Sequence, residues 1–312
     1  MKEIINPLKA EQFLEAVRVK LNPSRGTYIY DASISNYLEK TNPADSSGYV
    51  RWLKGLLPYL VNSHGLSGKK VLDLGCGTGE LTVLMNLIGF NAIGLDVHEK
   101  DIWLAKILAK ENGLSEEIFV LSDGDYRLPF DDDTFDIITM ISVLEHLTDQ
   151  SLARLVPEIA RICRGVLFVQ VPNKLRISDD HTGLKFVPWM PHWMAERYVA
   201  ARGDKYTYSI SASGSWDVYY RNCEDVVSSF EGCFDYGFCP PACSYPEPSD
   251  NDLVTKIGKR FQIFNRKVFI GLPLPWRLIR MKLGYPKEAY YPYLNLIFTH
   301  KRSARGSEHF ED

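Results

Sequence analysis

From Lys70 onward the hydrophobic pattern switches repeatedly between two periods, and the switching predicts the architecture. Short apolar runs at 70–75, 91–96, 117–122, 135–141 and 165–171 have the length and near-continuous hydrophobicity of buried strands. The intervening segments 79–88, 99–112 and 149–163 carry apolar residues at helical spacing, and Asn112-Gly113 is a C-terminal stop signal. Strands alternating with helices in this way predict an α/β fold, a parallel sheet with helices on both faces. Two further strands are expected at 233–243 and 293–300, the latter reading Y-L-N-L-I-F-T-H.

On either side of this block the pattern loosens. Phe13, Leu14 and Val17 share one face of a predicted helix at 10–19, and Trp52, Leu53, Leu56, Leu57 and Leu60 share one at 50–61. A connection containing Tyr28, Tyr30 and Tyr37 joins them. Two readings stand side by side here, a cap over a binding site and a pair of packing helices. After Pro172-Asn173 regularity fades across 174–225, which holds His181, His192, Trp189, Trp193, Trp216 and a small-residue stretch from Ser209 to Ser215. An irregular insertion after a sheet strand lies where ligands of open α/β sheets bind, outside the carboxyl ends of the strands. The expected organisation is a helical cap over 1–65, a sheet domain over 66–302 with insertions at about 174–225 and 245–290, and a flexible tail at 303–312.

Composition narrows the function classes. The chain of 312 residues is 45% hydrophobic and 24% charged, enough for a substantial core. Its net charge of −3 provides no basic field for gripping nucleic acid, and none is expected as a partner. The N-terminus lacks the apolar segment of a signal peptide, and no run approaches the ~18 apolar residues of a spanning helix, so a cytoplasmic location is expected. Cys76 and Cys163 lie in apolar contexts as small core residues. Cys223, Cys233, Cys239 and Cys243 form no C-x-x-C pair and have no histidine at ligand spacing; they read as reduced thiols with no metal expected, and a zinc site is the alternative.

The candidate chemistry centres on Val71–Thr82, V-L-D-L-G-C-G-T-G-E-L-T. A buried strand runs into Gly75, Gly77 and Gly79, and a helix follows whose unpaired N–H groups face whatever sits above the strand end. A dinucleotide fingerprint would need a third glycine where Glu80 stands, and a carboxylate there repels a pyrophosphate. There is no G-K-[ST] for a mononucleotide either. The cradle suits a ligand without phosphates. Asp73 precedes the glycines by two residues, in position for a cationic amine. Asp96 ends the second strand about twenty residues on, where a carboxylate takes two ribose hydroxyls. Asp123 ends the third and can accept from an adenine amine. An amine, a diol and an adenine without phosphate describe S-adenosylmethionine.

On these residues, 70–172 resembles the class I S-adenosylmethionine-dependent methyltransferases, especially the type 11 and ubiquinone-biosynthesis branch. The matching pieces are V-L-D-L-G-C-G-T-G at 71–79, G-L-D-V at 94–97, L-P-F-D-D-D-T-F-D at 128–136 and V-L-E-H-L at 143–147. The resemblance implies a Rossmann-like seven-stranded sheet, mostly parallel with an antiparallel last strand. It places Asp73, Gly75, Gly77 and Gly79 around the methionine end, Asp96 on the ribose and Asp123-Gly124 near adenine, and adds Cys76, Thr78, Val97 and Ser142 to the cofactor-binding residues. Asp123 stands one residue further from Leu-Pro-Phe than is usual in the family, which makes Asp125-Tyr126 a competing adenine contact. Beyond residue 172, P-N-K followed by D-D-H-T-G-L-K-F-V-P-W-M-P resembles methyltransferases of bacterial polysaccharide and O-antigen gene clusters.

Methyl transfer from a sulfonium asks the protein chiefly to align the reactants away from water; a hydroxyl acceptor also needs a base. His146, after the fourth strand, and His181, in the insertion, are the candidates, with helix capping and plain exposure as their alternatives. His192, among aromatics, reads as packing. The turn at 141–144 (I-S-V-L) lacks the N/D-P-P-Y type associated with methylation of nucleic-acid amines, and Glu145 alone does not supply the two glutamates associated with protein arginine. A small-molecule, sugar or lipid-linked glycan acceptor remains, O-methylated, with a quinone-type phenol or an amino sugar as alternatives. Residues 253–283 interleave eight basic residues with aromatic and aliphatic ones, which suits either a membrane-surface contact or a solvated helix. A cofactor-binding regulator without turnover would keep the same glycines.

Overall fold

The computed structural model describes residues 8–22, 25, 28–42, 47–64, 70–124, 126–179, 181–202, 216–240, 243 and 286–301. Segment 253–283, the stretch Ser209–Ser215, Asp125 and the tail from 303 lie outside the described residues.

Among the described residues seven strands form one sheet: β1 (Lys70–Leu74), β2 (Asn91–Asp96), β3 (Phe119–Leu121), β4 (Phe135–Ile141), β5 (Cys163–Pro172), β6 (Phe234–Phe238) and β7 (Tyr293–His300). Their order is β3-β2-β1-β4-β5-β7-β6. The first five pair parallel, whereas β7 pairs antiparallel with both β5 and β6. The chain crosses from β3 to β4 over the two strands already laid down, so the order reverses beside β1. The carboxyl ends of β1 and β4 flank that crevice, where ligands of such sheets bind.

The strands divide their side chains between two cores by simple alternation. Val71, Ile137, Val166 and Phe168 face one side and join α4 (Glu80–Leu87) and α5 (Glu99–Glu111). Phe13 and Val17 of α1 (Glu11–Leu21) and Leu53, Leu56, Leu57 and Leu60 of α3 (Ser47–Ser63) belong to the same cluster. Leu72, Ile138, Leu167 and Val169 face the other side, under α6 (Asp149–Ile162) and α8 (Cys223–Phe230). The N-terminal helices are thus continuous with the sheet's own core. Glu111 at the end of α5 accepts from the backbone N–H of Gln12 and Phe13 at 2.8 and 2.9 Å, which seats α1 on α5.

Several local expectations differ from the structure. The tyrosine-rich connection is a helix, α2 (Tyr28–Thr41), whose apolar positions are too sparse to give a clear helical stripe. The third strand keeps only Phe119–Leu121 because Glu116–Ile118 coil into a 3-10 turn capped by Ser115. The sixth stops at Phe238, short of the expected 243. The insertion also holds a helix, α7 (His192–Ala200), opened by Pro191. Among the described residues no helix is long and apolar enough to cross a membrane.

Candidate active site

The loop after β1 turns in left-handed backbone at all three glycines, with φ of +77°, +52° and +82° at Gly75, Gly77 and Gly79. Space separates their roles. A Cβ on Gly75 would meet Val143 Cγ2 at 2.3 Å, and one on Gly79 would meet Phe119 Cζ at 2.5 Å and Ala105 Cβ at 2.7 Å. At Gly77 nothing lies within 4 Å, so the loop opens there. The loop is fixed from behind: Gly75 and Cys76 donate their N–H groups to Leu95 O at 2.8 and 3.1 Å, and Gly77 donates to Asp96 Oδ2 at 2.8 Å.

Three buried carboxylates ring this opening: Asp73, Glu80 and Asp96, with 3%, 3% and 7% of their surface exposed. Among the described residues none of them is ion-paired with a basic side chain. Asp73 accepts from the hydroxyls of Thr82 at 2.7 Å and Thr139 at 3.0 Å. Burial pushes its pKa up to about 6; the two hydroxyls oppose the rise, and the charges of Asp96 and Glu80 add to it. Glu80 holds the Thr78 hydroxyl at 2.8 Å, turning that side chain inward. An unneutralised negative site with an open glycine repels a diphosphate and favours a cation. The donor set fits S-adenosylmethionine, whose ammonium and sulfonium are both positive. Cys76 is buried and its thiol pKa raised well above the ordinary value, chiefly by burial, so it offers no nucleophile there.

Asp96 also accepts from His98 N–H at 2.9 Å, and each oxygen keeps a lone pair beyond its backbone bond, free for a ligand's hydroxyls. Val97 and Leu121 stand 55% and 46% exposed at the adjacent strand ends, an apolar surface suited to a purine. Asp123 is exposed two residues beyond β3, and Gly124 next to it takes a φ of +83° with nothing near its Cβ. Of the competing pair, Tyr126 Oη bonds Ser151 Oγ at 2.9 Å and Arg154 lies over its ring at 5.5 Å, while Asp125 lies outside the described residues.

At the end of β4, Ser142 adopts a left-handed φ of +54°, uncommon for a residue with a Cβ. Its N–H donates to Gln170 O at 3.0 Å and its Oγ to Gln170 Oε1 at 3.1 Å. Glu145 and His146 follow in a 3-10 turn. His146 Nδ1 is 3.6 Å from Asp217 Oδ2, an ion-pair separation slightly beyond hydrogen-bond reach. Burial lowers the His146 pKa, but the Asp217 and Glu145 carboxylates outweigh it and the net shift is upward. The His181 ring packs edge-on against His146 at 5.1 Å. Burial holds His181 neutral, its pKa down at about 4; Asp179 opposes this and the His146 cation reinforces it. The structure therefore brings both sequence candidates together and gives them opposite character. Ligand atoms of Glu145, His146 and His181 lie within 4.8 Å of one another, a spacing a cation could bridge, although the sequence reading expected no metal. Among the described residues no group of cysteines is so spaced. His192 stacks on Tyr219 at 4.5 Å with an interplanar angle of 5°.

Arg221 clamps the insertion to this turn. Only 6% of its side chain is exposed, and it donates to Leu144 O at 2.9 Å and Leu147 O at 2.7 Å while pairing with Asp149 at 2.7 Å. Asp179 ties the two ends of the insertion by accepting from Thr182 and from Tyr220 Oη. Sequence reasoning missed Asp217, Arg221 and Gln170. The first two sit in aperiodic chain that gives no local signal. Gln170 could have been found, as the one polar residue in the otherwise apolar V-L-F-V-Q-V.

A family model described as a methyltransferase domain matches residues 71–165. The ubiquinone biosynthesis O-methyltransferase of Aliivibrio fischeri (strain ATCC 700601 / ES114) is 39% identical over 90 residues, 29% of this chain and 38% of that one. Its namesake in Thiobacillus denitrificans is 33% identical over 127 residues, 40% and 50% of the two chains. The match thus spans half or less of these relatives' length. The protein of the same name from Rhizobium johnstonii is 30% identical over 201 residues, 62% of this chain and 71% of that one. A loop built for a phosphate-free cation on this sheet, together with the extent of the Rhizobium match, makes the chain a member of the class I S-adenosylmethionine-dependent methyltransferases.

Proposed function

We propose that the chain transfers a methyl group to a hydroxyl oxygen of a small-molecule or glycan acceptor, with His146 as general base and Asp217 as the residue that orients it. The observation that carries this reading is the His146–Asp217 pair, standing at the carboxyl end of β4 beside the glycine loop. S-adenosylmethionine, when bound, supplies an electrophilic methyl on a good leaving group. Gly77, Asp73 and Asp96 bind it, with Asp123-Gly124 and Val97 on its adenosine side. The chain's further task is the acceptor proton. With Nδ1 turned to Asp217, His146 presents Nε2 as the acceptor, and the carboxylate stabilises the imidazolium that forms. His181, held neutral by burial, packs on the base without adding a charge. The O-methyltransferase names of the relatives support oxygen as the acceptor atom.

Calorimetry with S-adenosylmethionine followed by product analysis against acceptor panels tests the reading. His146→Ala should leave cofactor affinity within twofold and lower turnover by roughly 10²–10⁴. Cofactor binding without turnover on any acceptor would instead make the chain a regulator. The basic segment 253–283 is proposed as a membrane-surface contact; sedimentation with anionic vesicles that is lost at high salt supports it, and absence of sedimentation rejects it.

A further inference from the structure

Gln170 stands in a run of β5, 166–171, whose other members are all apolar and buried. It is itself only 1% exposed, where the pleat asks for another valine or leucine. Its amide is half used: among the described residues Nε2 is buried without a hydrogen-bond partner. That half adds nothing to the fold and reaches no ligand. A buried polar group kept at such a cost directs attention to what its other half holds.

It holds Ser142, twice. Gln170 O accepts the Ser142 N–H at 3.0 Å, and Gln170 Oε1 accepts the Ser142 hydroxyl at 3.1 Å. Ser142 follows Ile141, the last residue of β4 in register with Gln170, and is exposed, so its own burial does not demand these bonds. Its φ of +54° is a left-handed conformation that a residue with a Cβ leaves unless it is held. The turn delivers Val143 onto the cofactor loop: a Cβ on Gly75 would come within 2.3 Å of Val143 Cγ2 and 3.1 Å of Cγ1. On the β2 side, Gly75 N–H is bonded to Leu95 O at 2.8 Å. The first glycine of the loop is therefore gripped between β2 and the residue that the Ser142 turn puts in place.

We infer that Gln170 is a positioning residue for the cofactor: it keeps Ser142 left-handed, Ser142 sets Val143 on Gly75, and the loop is thereby held in the shape that takes S-adenosylmethionine. Gln170 itself touches no ligand. With the bond to Oε1 gone, Ser142 relaxes toward negative φ, Val143 leaves Gly75, and the loop holds its shape for only a fraction of the time. Affinity then falls by that fraction. The methyl acceptor and its proton play no part, so the inference is independent of His146 and of the choice of acceptor.

The full chain and its variants are titrated with S-adenosylmethionine by calorimetry, and their thermal unfolding is followed without ligand. Gln170→Met keeps the volume and removes Oε1. It should weaken cofactor binding roughly fivefold or more, the factor by which a residue with a Cβ prefers negative φ. Its Tm should stay at or above the parent's, because the unpaired amide goes with the side chain. Ser142→Ala cuts the same bond from its exposed end and should give the same loss, which keeps the test decisive if the buried change harms folding. Ser142→Gly also lacks the hydroxyl, but glycine takes positive φ about as easily as negative, so its loss should be only about twofold. Glycine should likewise rescue Gln170→Met, the double variant binding about as Ser142→Gly does. Parental affinity in Gln170→Met and Ser142→Ala would overturn the inference. Equal losses in Ser142→Ala and Ser142→Gly would do so too, by making the hydroxyl a ligand contact, as would a Gln170→Met loss that glycine does not rescue. A parent that binds no S-adenosylmethionine would overturn it together with the cofactor assignment, whereas a parent that binds alongside unaffected variants overturns it alone.

Discussion

Asp73 and His146 are both shifted upward, for different reasons and with different consequences. Asp73 is raised to about 6 chiefly by burial, so the folded state binds a proton there that the unfolded chain, at its ordinary 3.8, has released. Its contribution to stability is therefore greatest below pH 4 and is lost as pH rises through 6. Cofactor affinity should run the other way, because a cationic ligand needs the carboxylate ionised. Below pH 6 the affinity should fall by up to about tenfold per unit, and Asp73→Asn should flatten that dependence in calorimetric titrations. On the proposed role of His146 as base, its imidazole must be neutral, so kcat/KM should climb as pH rises through its elevated pKa. Asp217→Asn removes a charge that holds this pKa up. It should move the acid limb to lower pH and reduce kcat, whereas a purely structural Asp217 would lower stability without moving the limb.

The glycine loop offers a comparison at the level of the element. Gly77 and Gly79 both need positive φ, and an alanine at either costs about 1–2 kcal/mol in backbone strain. Only Gly79 is also packed against Phe119 and Ala105. Gly79→Ala should thus cost a further 1–3 kcal/mol of overpacking, seen as a large drop in Tm. Gly77→Ala should show only the smaller Tm drop that strain causes and still lose cofactor affinity, because its methyl projects into open space. The strands around this loop were legible because buried parallel strands carry near-continuous apolar runs and the turn at their end admits few residues. The stretch Tyr28–Thr41 was not legible as a helix, since its apolar residues make no stripe. Asp217 was invisible for a third reason: it reaches His146 across seventy residues of sequence, and nothing local marks a contact that only the fold creates.

For the whole molecule, Arg221 decides whether the insertion and the sheet act as one body. Its buried guanidinium satisfies carbonyls of the turn that carries His146. Arg221→Ala should cost about 3 kcal/mol in chemical denaturation and loosen that turn, so kcat should fall while cofactor affinity, set on β1 and β2, stays close to the parent's. Arg221→Lys should recover little, because one ammonium cannot replace the fork of donors.

The strand order has a consequence for how the protein is made. β7 is the last of the described strands to be synthesised, yet it lies between β5 and β6 and supplies hydrogen bonds to both. While residues up to 292 are emerging from the ribosome, β5 has one bare edge and β6 has no neighbour among the described strands. The parallel half of the sheet and its cofactor loop can assemble during translation, but the sheet cannot close until the final strand threads into a slot already flanked on two sides. Until then the nascent chain carries bare strand edges on β5 and β6, the kind that pair with other copies. Nonsense mutations just before Tyr293 should accordingly yield an aggregating chain rather than a shortened, partly active one.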